Sequence, residues 1–173
     1  MTTTSAATRR YQVLAIKPDV LRQLRLRDDA GHQPRTILDA DGGSPLRCCL
    51  RRSRPAEQVA LVSYAPLRRW AWETGADPGP YDEVGPVFIH LKACSGPDGS
   101  GYPAEFAGAR RVFRSYSADG RILAGRLAEA DEVRQPEAAG ALLAELFADL
   151  DVAVVHARAV EFGCFTFEIR RTS

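Results

Sequence analysis

Apolar and polar positions alternate in short runs along most of the chain, and the runs are separated by Gly, Pro and Asp clusters. YQVLAI (11–16), RTILDA (35–40), EQVALVSYAP (57–66), GPVFIHL (85–91), RRVFRSYS (110–117), RILAGRLAE (121–129), DVAVVHARAV (151–160) and GCFTFEIRR (163–171) have the length and the β-branched or aromatic content of strands. The Asp119-Gly120 pair between two of these runs marks a hairpin, and residues 161–163 turn the last two strands against each other. Helical spacing is confined to two places. PDVLRQLRLR (18–27) starts at a proline suited to the first helical turn, and PEAAGALLAELFADL (136–150) spaces Leu142, Leu143, Leu146, Phe147 and Leu150 along one face. The segment 67–84, which carries both tryptophans among Pro and Gly, reads as an ordered surface loop.

Strands outnumber helices, and several adjoin through tight turns. The expected architecture is therefore α+β around a mainly antiparallel sheet, with one short N-terminal helix and one long helix in the C-terminal half. No linker or repeat divides the chain, so residues 11–173 are expected to form one domain behind a disordered segment, residues 1–10. At 173 residues, with 45% hydrophobic and 26% charged positions, folding buries enough surface to need neither metal nor disulfide for stability. No apolar run reaches the ~18 residues of a membrane span, and MTTTSAATRR lacks a signal-peptide core. A soluble, cytoplasmic protein without membrane contact is expected.

Charge changes the picture little. The net charge is +1, divided into 13 basic and 6 acidic residues over 1–70 and 10 basic and 16 acidic over 71–173. The pairs Arg51–Arg52, Arg68–Arg69 and Arg110–Arg111 are placed to steer an anionic small molecule, although paired surface arginines are ordinarily just solvated. No basic stripe is interleaved with aromatics, so no nucleic-acid partner is expected.

Candidate chemistry comes from strand alternation. Phe165, Phe167 and Ile169 share one face of the last strand, the expected core, while Cys164, Thr166, Glu168 and Arg170 share the other. His156 and Arg158 lie with Val152 and Val154, and His90 lies with Phe88, opposite Val87, Ile89 and Leu91. Were these strands neighbours, His90, His156, Arg158, Cys164 and Glu168 would meet on one concave face. Each also has a plainer reading: a strand-end histidine is usually a hydrogen-bonded packing residue, and Cys164 a small buried hydrophobe.

In order, LRCCL, LVSYAP, YDEVGPVFIHLKAC, the Asp-Gly hairpin with GRI, and VVHARAVEFGCF resemble the domain of unknown function 1203 family, over residues 11–171. That family carries no established reaction. Its version of LRCCL reads Cys-Arg-x-Cys-Leu, which with His90 and Cys94 implies a zinc-like ligand set. Here Leu46 stands where the first cysteine would be, Cys49 matches the second, and Cys48 is extra. On an extended strand Cys48 and Cys49 point to opposite faces, which leaves Cys49, His90 and Cys94, with His156 as a further candidate. In VHARAV the family's His-x-Arg-Asn keeps His156 and Arg158 but loses its asparagine to Ala159.

Three functions follow, in order of preference. The first is a small enzyme without an organic cofactor, since neither G-x-G-x-x-G nor G-x-x-x-x-G-K-[ST] occurs. His90 or His156 would act as general acid/base, Arg158 would hold a carboxylate or enolate, and Cys94 or Cys164 would supply a thiol. Isomerisation, cyclisation or elimination (lyase chemistry) of a small molecule in bacterial biosynthesis suits such a site. The second is a non-catalytic ligand-binding or interaction module using Trp70, Trp72 and the arginine pairs, with a homodimer through a sheet edge or residues 67–84. The third is a zinc protein using Cys49, His90 and Cys94.

Overall fold

The strand runs pair into two five-stranded sheets. The computed structural model describes residues 10–172, so the segment expected to be disordered lies, apart from Arg10, outside the described residues. In chain order the elements are β1 (Tyr11–Leu14), α1 (Pro18–Leu24), β2 (Arg35–Asp39), β3 (Pro45–Leu46), β4 (Arg51–Arg52), β5 (Glu57–Tyr64), α2 (Pro66–Thr74), β6 (Gly85–His90), β7 (Arg111–Tyr116), β8 (Ile122–Ala128), α3 (Pro136–Leu146), β9 (Val154–Ala159) and β10 (Phe165–Arg171). The first sheet has the order β1-β10-β9-β7-β8 and is antiparallel throughout; the second has the order β2-β5-β6-β3-β4, with β3 and β6 parallel. The α+β architecture with mainly antiparallel sheets is as the strand pattern implied. No helix among the described residues is long and apolar enough to cross a membrane.

The segment expected to be a loop over 67–84 instead begins with α2. Pro66 opens the helix, Leu67, Trp70 and Ala71 bury one stripe at the i, i+3, i+4 spacing, and Gly75 closes it in the left-handed region at φ 77°. The Pro and Gly that follow residue 74 mask this short period in the sequence. Trp70 is buried, whereas Trp72 is exposed and lies against the Arg69 guanidinium at 5.1 Å.

A second difference lies in β10. The β9–β10 register shifts between Phe165 and Phe167, so Thr166 is the extra residue of a bulge. Phe165 thereby joins the face of Arg158 and His156, not the face of Phe167 and Ile169. The consequence is that Phe165 and Phe167 join different cores. Phe167 and Ile169 pack with Tyr11, Phe113, Leu143 and Phe147 beneath α3. Phe165 belongs instead to the cluster of Leu24 of α1 and Val62 and Ile89 of the second sheet, with its ring 5.4 Å from that of Tyr64, joining the two sheets.

Candidate metal centre

The turn after β3 decides where the cysteines point. Leu46 pairs with Phe88 in parallel register, and the Arg47 N–H donates to the Phe88 carbonyl at 2.9 Å, which sets residues 47–50 against the end of β6. There the chain leaves the extended conformation. The Leu50 N–H closes on the Leu46 carbonyl at 2.9 Å, and Leu50 takes φ 57°, a left-handed conformation that costs a non-glycine residue roughly 1–2 kcal/mol. Burial of the Leu50 side chain holds the turn, as does the buried Arg47 guanidinium, which donates to the carbonyls of Phe165 and Pro45. Cys48 and Cys49 therefore turn toward one site. The expectation that adjacent cysteines must diverge is corrected, because it assumed a strand where the chain makes a tight turn.

Cys48 Sγ lies 3.2 Å and Cys49 Sγ 3.9 Å from His90 Nδ1. Cys94, four residues on from His90, lies 3.9 Å from the Cys48 carbonyl oxygen through its Sγ. The ligand atoms of Cys48, Cys49, His90 and Cys94 all fall within 4.8 Å of one another. Behind His90, Nε2 faces Glu57 Oε1 at 3.1 Å. That placement follows from register: His90 pairs with Val59, and Glu57, two positions along β5, shares its face. Donation of Nε2–H to the carboxylate leaves the Nδ1 lone pair turned toward the sulfurs, as in carboxylate–histidine–zinc arrangements.

The two buried thiols titrate as a pair in opposite directions. The interaction between the two neighbouring thiols is the largest cause for both. It holds Cys49 below the usual thiol value, against the effect of burial and with help from the Arg51 N–H and the Arg51 charge. The same interaction, with burial, pushes Cys48 up. Of the two, Cys49 is the one held toward the thiolate, the form in which sulfur binds metal. Two clefts flank the cluster. One, of about 400 Å³, is lined by Cys48, Cys94, Leu21 and Gly96; the other, of about 370 Å³, by Cys49, Arg51 and Tyr102.

The remaining candidates lie elsewhere. His90 and His156 belong to different sheets, so the single concave face does not form. His156 is fully buried; its Nε2 meets Glu168 Oε2 at 2.9 Å, Tyr116 and Phe165 press on its ring, and Nδ1 has no partner. Glu168 continues through Arg170 and Glu73 to Lys17 at the surface, at 2.5, 2.7 and 2.8 Å. Arg158 pairs with Glu83 at 3.0 Å and lines a third cleft with Cys164 and the exposed Phe162. The structure thus brings Cys49, His90 and Cys94 together, and adds Cys48 and Glu57, which the sequence reading had left out. No turn residue marks 47–50, because Leu50 adopts positive φ without being Gly or Asn. Glu57 emerges only from the β5–β6 register.

A family model described as "Protein of unknown function (DUF1203)" matches residues 43–171, a span holding all four candidate ligands and Glu57. No curated protein and no solved structure matches the chain.

Proposed function

We propose that this chain, which belongs to the DUF1203 family of proteins of unknown function, binds a zinc ion through Cys48, Cys49, His90 and Cys94. The observation that carries this reading is the convergence of four ligand atoms within 4.8 Å, with Glu57 seated behind the histidine. Three thiolates and an imidazole are a donor set for zinc, not for the oxygen-seeking magnesium or calcium. Tetrahedral zinc, with Zn–S near ~2.3 Å and Zn–N near ~2.0 Å, places its ligand atoms roughly 3.5–3.8 Å apart, so small side-chain shifts close the site. Zinc would bind the thiolates, and the protons they release would leave to solvent. Elemental analysis of protein purified without a metal-affinity tag is the direct test. About one equivalent of zinc is expected, falling in Cys48→Ser and His90→Ala; less than about a tenth of an equivalent in the parent protein, with none taken up on titration, overturns the assignment.

A second reading draws on a separate observation, the chain Glu57–His90–Cys48, which has the order of orienting carboxylate, base and thiol. On this reading the protein is a cofactor-independent enzyme acting on a small molecule in the cleft beside Cys48 and Cys94, with His90 as general base. His156, enclosed in the core, has no place in it, and Arg158 and Cys164 line a different cleft. Chelation separates the two readings: such an enzyme keeps its thiol reactivity and ligand binding in metal-free form.

A further inference from the structure

The same cluster has an arrangement that zinc binding alone does not require. Its thiols differ in access. Cys48 and Cys49 are buried, whereas Cys94 is partly exposed at the start of the loop A-C-S-G-P-D-G-S-G (93–101). Cys94 and Cys48 line the same cleft, while Cys49 lines the second one. A small oxidant entering the first cleft therefore reaches Cys94 first and finds Cys48 next to it.

Only some pairings of these sulfurs are feasible as disulfides. Neighbouring residues hold their Cα atoms about 3.8 Å apart, below the roughly 4.4–6.8 Å that a disulfide spans, so Cys48 and Cys49 are poor partners for each other. Cys94 is held to the Cys48 carbonyl by its own Sγ, and the sulfurs of the cluster lie within 4.8 Å of each other. The Cys94 loop is tied down by polar contacts of its neighbours, Arg51 to Asp98 and Ser95, Arg25 to the Lys92 carbonyl, and Val13 N–H to the Ser100 carbonyl, all of which survive a small shift of Cys94.

We propose that Cys94 is the site of oxidation by hydroperoxides and that it closes a disulfide with Cys48, releasing the metal. This rests on the zinc reading for the release step only. The Cys94 thiolate attacks one oxygen of hydrogen peroxide, the O–O bond breaks, and the leaving hydroxide takes up a proton as water, leaving a sulfenic acid. Cys48 sulfur then attacks the Cys94 sulfur; the S–S bond forms, the S–O bond breaks, and a second water departs. In sum two thiols are oxidised and one peroxide is reduced to two waters. Zinc, left with Cys49 and His90, loses half its ligands and dissociates. A thiol reductant reverses the step and restores the site.

The test treats the zinc-loaded protein with hydrogen peroxide while following zinc release with a chromogenic chelator and free thiols with a disulfide reagent. Loss of two of the four thiols per zinc released is expected. Trypsin places Cys48 and Cys94 on different peptides, because Arg47, Arg51, Lys92 and Arg110 bound them, so mass spectrometry should find these two peptides cross-linked. The cross-link should persist in Cys49→Ser and Cys164→Ser and vanish in Cys48→Ser and Cys94→Ser. Oxidation to sulfinic acid without a cross-link, a cross-link that survives Cys48→Ser, or intact thiols at a tenfold excess of peroxide overturns the proposal. The same mapping on metal-free protein keeps the two claims apart. A cross-link there with no zinc bound at any stage sinks the zinc reading and leaves the disulfide standing, whereas bound zinc without the cross-link does the reverse.

Discussion

Glu57 and Leu50 show how much of the candidate site depends on single side chains that bind nothing themselves. Leu50 sets the turn that aligns Cys48 with Cys49, and Glu57 holds the His90 ring so that Nδ1 faces the sulfurs. A carboxylate in that position raises ligand basicity and fixes the tautomer, and its loss typically weakens metal affinity 10–100-fold. Glu57→Gln should therefore bind one zinc with affinity reduced about 10–100-fold and with an unchanged circular dichroism spectrum, as read by competition with a chelator of known affinity. Unchanged affinity would leave Glu57 as an ordinary surface partner of His90. At this scale the sequence was partly legible. His90 and Cys94 were singled out by their spacing, and Cys49 by the family resemblance. Cys48 was set aside because nothing in Arg-Cys-Cys-Leu signals a turn, and Glu57 because side chains 33 positions apart meet only through strand register.

Among the elements, the α1–β2 connection is tied to β5 and the residue after it by two buried carboxylates, Asp28 and Asp29, the latter accepting the Ala65 N–H at 2.8 Å. Asp28 accepts the N–H groups of Ala30 and His32 through Oδ1, at 3.0 and 2.8 Å, and that of Ser63 through Oδ2 at 2.9 Å. Burial by itself raises the pKa of the Asp28 carboxyl, and the three backbone donors together with the Ser63 side chain outweigh it, so the group titrates below its usual range. A carboxyl with a depressed folded-state pKa adds stability that is fully present above its unfolded value of about 3.9 and is lost as the pH falls through the lower folded value. Asp28→Asn should thus cost about 1–3 kcal/mol at neutral pH, with the gap to the parent protein closing only below about pH 4 in urea unfolding at a series of pH values. A gap that closes near pH 6 would place its origin in another group. Most elements were legible from period and punctuation: the strands, α1, α3 and the Asp119-Gly120 hairpin. Helix α2 carried the proper signals, a leading proline, a three-four apolar spacing and a closing glycine, but they are compressed into nine residues beside a Pro-Gly-rich stretch. The bulge at Thr166 was not legible, because an extra residue changes no local composition and reveals itself only against the partner strand.

For the whole molecule, apolar clusters among the described residues lie beneath α3, between the sheets and under α2, and Cys48 and Cys49 sit at the border of the one between the sheets, away from the one beneath α3. Removing zinc should therefore loosen the 91–103 loop without unfolding the chain. Zinc at a thousandfold excess over its dissociation constant stabilises by about 4 kcal/mol, and for a chain of this size each kcal/mol moves Tm by about 2–4 °C. Adding zinc to chelator-treated protein should raise Tm by roughly 8–16 °C and slow amide exchange across 91–103, while amides of β7, β9 and β10 change little below the transition. Collapse of the whole exchange pattern on chelation would mean that the metal nucleates the fold. What the sequence by itself determined was the α+β class, nearly all the strands, two of the helices, and the suspicion that falls on His90 and Cys94. These are local properties, set by side-chain period, proline and glycine placement, and spacing along a few residues. Only the tertiary structure decided that His90 and His156 part company into different sheets, that Phe165 crosses to the other core, and that Cys48 turns inward to join Cys49, His90 and Cys94. Each of these depends on which strands pair and in what register, and that is settled by packing between segments far apart in the chain.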